Sequence, residues 1–290
     1  MERSTRTLLG LAAACAVGFL LVTLCAFELA DGPWLDRVGL EGFLAMQTTS
    51  LHDVTRAAAR LGDPAQVGLI GLVLAAVAVA RGRPRVALVI IALLALTSIS
   101  SQLLKDLLAH PRLNPVIDGG HVGAASLPSG HSTAAMALAL AAVFAAPRRA
   151  RPAAAVIGAA VALAVGFSVV SLGWHFPSDV LAGYLLATGW ALVLAAGLRE
   201  LDSRRPARRR AGGPAAFSSL VDRVSADGLT VAAAALAGIG LIVALLFAAT
   251  HAPEIADFGR VHTTSVAIVA GMALAALALP AGMAAALRRA

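Results

Sequence analysis

The sequence predicts an all-α, polytopic membrane protein. Three observations carry that prediction. Of its 290 residues, 59% are hydrophobic and 13% charged, whereas a soluble domain is nearer half apolar and a quarter charged. Mean hydropathy is +0.84. The apolar residues also fall into eight separate runs, most of them close to the roughly 20 residues a spanning helix needs. Aromatic residues are only 4%. Ala, Leu and Val dominate instead, and small residues let membrane helices approach closely.

Taken in order, the predicted spans are 7–29, 65–80, 85–104, 131–147, 153–172, 178–198, 228–250 and 263–286. Arg3 and Arg6 precede the first, which reads as a retained anchor: its apolar run is long and no small-residue cleavage site follows it. Cys15 and Cys25 both lie on it. Ten residues along one helix is about 15 Å, too far for a disulfide, so both read as packing residues. Asp63-Pro64 opens the short second span. Between the first two spans, Leu35, Val38, Phe43, Leu44 and Met46 alternate with charged residues, as in helices lying on a membrane surface. Residues 199–227 are arginine-rich and contain Gly212-Gly213-Pro214, as expected of a flexible linker. The expected organisation is an N-terminal helix with interfacial helices over 1–64, a helical core over 65–198, a cytoplasmic basic linker over 199–227 and two further membrane helices over 228–290.

The arginines predict orientation. With the N-terminus inside, the segments around Arg3–Arg6, Arg81–Arg85, Arg148–Arg151, Arg199–Arg223 and Arg288–Arg289 carry 17 of the 23 Lys and Arg residues. The alternate segments carry six. Cytoplasmic loops are enriched in these residues, so both termini are expected in the cytoplasm of a multi-pass cell-membrane protein. The net charge of +7 is then a topology signal, and no nucleic-acid partner is expected.

In this topology three polar stretches share the outer face: "SQLLKDLLAHPRLNP", "LPSGHST" and "FSVVSLGWHFPSDVLAGY". Ionisable residues near membrane spans are costly and are functional candidates by default. Lys105 and Arg112 are fixed cations. Ser129 and Gly130 open a helix, where free N–H groups and the helix dipole favour an anion. His131 and His175 can carry protons near neutral pH. Asp179 follows His175 by four residues, a spacing that lets a carboxylate fix the imidazole tautomer of an activated nucleophile. Asn114 and Asp118 are candidates for the mouth of the site. Together these residues describe a phosphate site. The outer face has no H-E-x-x-H pair and no tight ligand cluster, so no metal or other cofactor is expected.

These residues resemble the signature of the type 2 phosphatidic acid phosphatase superfamily, K-x6-R-P, P-S-G-H and S-R-x5-H-x3-D. Lys105 and Arg112 match the first motif, with Leu113 in place of its proline. Pro128, Ser129, Gly130 and His131 match the second. Ser168, His175 and Asp179 match the third, with Val169 in place of its arginine. The resemblance covers roughly residues 60–200. It implies a six-helix membrane core that removes phosphate from a lipid in the outer leaflet. It also implies His175 as nucleophile, Asp179 as its orienting partner and His131 as the acid that protonates the leaving group. Lys105, Arg112, Ser129, Gly130 and Ser168 would contact the substrate. Two alternatives stay open: a lipid-linked phosphotransferase, and a non-hydrolytic protein that binds or transports a lipid phosphate.

Overall fold

The computed structural model describes residues 3–29, 31–45, 49–112, 122–203 and 252–288. These residues form α1 (Arg3–Phe27), α2 (Gly32–Ala45), α3 (Thr49–Ala59), a 3-10 turn (Arg60–Gly62), α4 (Pro64–Ala80), α5 (Pro84–Leu107), α6 (Gly130–Ala145), α7 (Arg151–Ser171), α8 (Pro177–Ser203), α9 (Ala252–Val261) and α10 (Thr263–Arg288). The fold is all-α and multi-pass. Helices α1, α5, α7, α8 and α10 are each long and apolar enough to cross a membrane. Residues 51–62 and α4 together make a sixth such span, bent by 55°. The sequence-predicted span at 228–250 lies outside the described residues, as do Leu113, Asn114 and Asp118.

Prolines and glycines set the helix ends. Pro64 and Pro84 stand in the first turns of α4 and α5 and Pro177 begins α8, where a fixed φ suits the helix and no N–H is missed. A proline also disfavours helical geometry in the residue before it. Asp63 is accordingly extended, with φ −67° and ψ 147°, and the chain bends there.

Helix α6 is the centre of the bundle. Twelve of its 16 residues are buried, and α4, α5, α7 and α8 pack around it. Small residues make this possible. A Cβ on Gly158 of α7 would come within 2.7 Å of Ala139. A Cβ on Gly183 of α8 would come within 2.7 Å of Thr133 Oγ1 and 3.0 Å of the Ser129 carbonyl. Helix α1 packs along α8, and α10 packs on α7, α8 and α2. Met272, Ala276, Met283 and Ala284 are buried on α10, so this helix is part of the same bundle.

The two ends of the bundle differ. At one, Arg83 donates to the Ala145 carbonyl at 3.1 Å, Arg85 pairs with Asp202, and Arg151 donates to the Leu287 carbonyl at 2.8 Å. At the other, α2 packs against α1, α7, α8 and α10. Phe43 of α2 meets Phe167 of α7 with ring centroids 5.2 Å apart, and Ser265 of α10 donates to the Val38 carbonyl at 3.2 Å. The polar motifs gather at this second end.

Candidate active site

The turn between α7 and α8 delivers His175. Gly173 has φ +71°, a left-handed conformation that glycine adopts without Cβ strain. The N–H of Gly173 bonds the Val170 carbonyl at 2.9 Å, and that of Trp174 bonds the Val169 carbonyl at 3.0 Å. This pair is the Schellman arrangement that closes a helix. The His175 N–H also reaches the Val169 carbonyl, at 3.2 Å. Held this way, His175 is 7% exposed, with Nδ1 3.3 Å from Asp179 Oδ2. A carboxylate only accepts, so Nδ1 is the donor in this contact.

Asp179 is fully buried and joins all three motifs. Its Oδ2 also accepts from the Phe176 N–H at 3.0 Å, its Oδ1 pairs with Arg112, and its backbone carbonyl accepts from the Ser129 N–H at 2.9 Å. That last bond fixes the start of α6 against the start of α8. Ser129 caps α6, its hydroxyl accepting from the Ser132 N–H at 3.3 Å.

Beside the cap lies a cavity of about 180 Å³ between α4, α5 and α6, lined in part by Ser101, Gln102, Lys105, Gly130 and His131. A Cβ on Gly130 would sit 3.7 Å from Lys105 Nζ and 4.0 Å from Ser101 Oγ. The ammonium therefore stands over the backbone at the mouth of α6, where helix N–H groups favour an anion. Lys105 has no ion pair or hydrogen bond among the described contacts. Ser101 is 1% exposed, and its hydroxyl has no partner. A cavity so lined suits an oxyanion.

His131 lines this cavity. Its Nε2 is 3.0 Å from Asp63 Oδ1, and its ring lies 5.6 Å from that of Trp174. Gly62 permits this packing, since a Cβ there would come within 2.9 Å of His131 Cβ.

Arg112 is placed differently from the other cation. Its Nη1 donates to Asp36 at 2.7 Å and to Ser178 Oγ at 3.0 Å. Its Nη2 donates to Ser126 Oγ at 2.8 Å and to Asp179. The guanidinium lies 4.2 Å from the Phe176 ring centroid and 5.3 Å from that of Phe27. Asp36 in turn accepts from the Ser178 N–H at 3.0 Å and from its hydroxyl at 2.5 Å. Burial pushes the Asp36 carboxyl up to about 6, against the opposing pull of Arg112 and Ser178.

The structure thus brings Lys105, Ser129, Gly130, His131, His175, Asp179 and Arg112 to one end of the bundle. Ser168 is buried on α7, and no described contact joins its hydroxyl to this cluster. Val169 is wholly buried in the main apolar cluster. An arginine there would have to place its charge among apolar groups, at a large desolvation cost. Sequence reasoning missed Asp36, Asp63, Ser101, Ser126 and Ser178 as members of the site. Asp63 left a trace as the polar residue of Asp63-Pro64, read only as a helix start.

Residues 67–201 match the family model of the PAP2 superfamily, an interval that holds all three motifs. Its fold is similar to the crystal structure of a transmembrane PAP2-type phosphatidylglycerolphosphate phosphatase from Bacillus subtilis. The two are 21% identical with a TM-score of 0.55, over 68% of this chain and 98% of that one. About a third of this chain therefore lies beyond the shared fold. No protein of curated function matches it.

Proposed function

We propose that the protein removes phosphate from a lipid phosphate or polyprenyl diphosphate at the outer membrane face, through a phosphohistidine on His175. The observation that carries this reading is the buried His175–Asp179 pair, held at the same end of the bundle as Lys105 and the α6 N-terminus, which can hold an anion. Nε2 attacks phosphorus, the bond to the lipid oxygen breaks, and His131 supplies the proton that oxygen needs. Water then attacks phosphorus, His131 takes the water's proton, and the P–N bond breaks to release inorganic phosphate. Lys105, the Gly130 amide and Ser129 hold the charge that develops on the phosphoryl oxygens. No metal takes part.

An apolar cavity of about 420 Å³ between α4, α6 and α7 supports a lipid substrate. Its lining runs from Leu61, beside the Gly62 contact with His131, through Leu74 and Ile157 to Arg81 and Ala145 at the opposite end of the bundle. The purified full-length protein in detergent should release phosphate from phosphatidylglycerolphosphate, phosphatidic acid or a polyprenyl diphosphate with chelator present. Binding of all three without release would favour the non-hydrolytic reading. Transfer to an added alcohol would identify a phosphotransferase.

Asp63 serves His131 in this scheme by orienting its ring. Asp63→Asn should lower kcat on monophosphate esters by about 10-fold or more, within the roughly 10²–10⁴-fold that a general acid supplies. The loss should be smaller for diphosphates, whose leaving group needs less protonation. Equal losses on both substrate types would argue against an acid at His131.

Sidedness has its own test. Arg83, Arg85 and Arg151 lie at the end opposite the histidines, as an inward basic face requires. In a cysteine-free background, a cysteine at Pro111 should react with an impermeant thiol reagent applied to intact cells, and one at Arg149 should not. The reverse pattern would place the site in the cytoplasm.

A further inference from the structure

We propose that the end of the bundle away from the histidines holds an anionic phospholipid, its phosphate among Arg148, Arg151 and Arg288 and an acyl chain in the groove between α7 and α10. The site takes no part in the reaction proposed for His175, and α10 lies outside the interval 67–201 that matches the family model.

Backbone contacts bring these arginines together. Arg83 donates to the carbonyls of Ala145 at 3.1 Å and Ala146 at 3.5 Å, just before the turn that carries Arg148. Arg151 closes that turn, its N–H bonding the Pro147 carbonyl at 3.1 Å. The Arg151 guanidinium donates to the Leu287 carbonyl at 2.8 Å, and Arg288 follows directly in sequence. The start of α5, the turn from α6 to α7 and the end of α10 therefore share one basic face. Among the described residues no carboxylate pairs with Arg83, Arg148, Arg151 or Arg288.

Such a face is costly without an anion. Arg148, Arg149 and Arg151 stand at the start of α7, where the helix dipole favours negative charge. That first turn holds no acid, and no side chain caps it. Arg151 is 8% exposed, and its Nε is buried without a hydrogen-bond partner. An excess of arginine outside the spans is enough to set topology, and that role asks for no burial. A phosphate at this point would offset the repulsion, satisfy the dipole and offer the orphaned donor an oxygen.

The groove identifies the anion as a lipid. A cavity of about 300 Å³ lies between α7 and α10 beside the arginines. Pro152, Val156, Leu277 and Ala281 line it, and Arg288 stands at its end. Val156 and Leu277 are each 48% exposed, on helices apolar and long enough to cross a membrane. An apolar groove that ends in cations fits a molecule with a hydrocarbon tail and a negative head. Free phosphate would use the arginines alone. A lipid seated here joins α7 to α10, the two helices that the Arg151–Leu287 bond already links.

The test uses the purified full-length protein in nonionic detergent with phosphatidylserine, a phosphodiester without a terminal phosphate for the proposed reaction to remove. Native mass spectrometry should find phosphatidylserine retained on the wild-type protein and phosphatidylcholine not. Phosphatidylserine should also raise Tm, as a ligand of the folded state does. Arg148→Gln and Arg288→Gln together should weaken retention by about 10-fold or more, at roughly fivefold for each arginine beside an anionic headgroup. Both arginines are exposed, so the lipid-free Tm should not fall. Ala281→Phe fills the groove without changing charge and should weaken retention comparably. Arg199→Gln removes one charge from the same end of the bundle, on α8, and should retain the lipid as wild type does. Equal retention of phosphatidylcholine, or wild-type retention by Ala281→Phe, would overturn the groove. A loss in Arg199→Gln equal to that in Arg288→Gln would reduce the site to diffuse surface charge. Displacement of the lipid by inorganic phosphate would make it a free-anion site and overturn the proposal as well.

Discussion

Replacing His175 with alanine is expected to lower phosphate release by about 10⁴-fold or more, the scale on which loss of a covalent nucleophile acts in other hydrolases. Among the described residues no second group stands ready to take over. His131 is turned toward Asp63 at 3.0 Å, and its proposed work is on the leaving oxygen. The fold should survive the change. His175 is anchored through its backbone N–H to the Val169 carbonyl, which alanine keeps, and Asp179 retains Arg112 and the Phe176 N–H. Stopping the wild-type reaction with base should trap phosphate on His175, detected by mass spectrometry as an acid-labile adduct. Asp179→Asn should reduce the trapped fraction without removing it, because the amide can still accept from the Phe176 N–H but cannot balance the imidazolium. Phosphate release by His175→Ala within tenfold of wild type would transfer the nucleophile's role elsewhere.

The sequence conveyed some of this site and concealed the rest, for identifiable reasons. Hydropathy marks the spans because lipid-facing helices need continuous apolar length, and α5, α7, α8 and α10 end close to the expected boundaries. The turn that presents His175 draws no reading from the sequence, because the left-handed φ of Gly173 is a backbone property that a motif of side chains does not display. Asp36 is different. It sits 76 residues from Arg112 in an amphipathic stretch where one more acid draws no notice, and only the packing of α2 at the bundle end brings it to the arginine. The motif reading counts Arg112 as a free cation because charge is visible in sequence and donor saturation is not. Val169 carries the same lesson in reverse. Its side chain reads as a missing contact, while its carbonyl, invisible to any side-chain pattern, accepts both the Trp174 and His175 N–H groups.

Lys105 is the cation that lines the cavity at the mouth of α6, and the proposed reaction depends on it. Lys105→Ala should lower kcat/KM by about 10²–10³-fold, as loss of one preorganised contact to developing charge does elsewhere, and should weaken vanadate inhibition in parallel. The effect on stability should run the other way. A half-buried ammonium without a hydrogen-bonded partner is a cost to the folded state, and removing it leaves the Ser129 cap and the Asp179 network intact. The variant should therefore unfold at a Tm equal to or above that of wild type while losing activity, a divergence expected where a charge is kept for function. Lys105→Arg should recover part of the loss, because it restores the charge, but not all of it, because a planar guanidinium does not place its donors where the compact ammonium does. An alanine variant with unchanged KM and vanadate inhibition would show that the phosphate binds elsewhere, with Arg112 the first candidate. A variant that loses activity and Tm together would make Lys105 a structural residue of the α5 terminus.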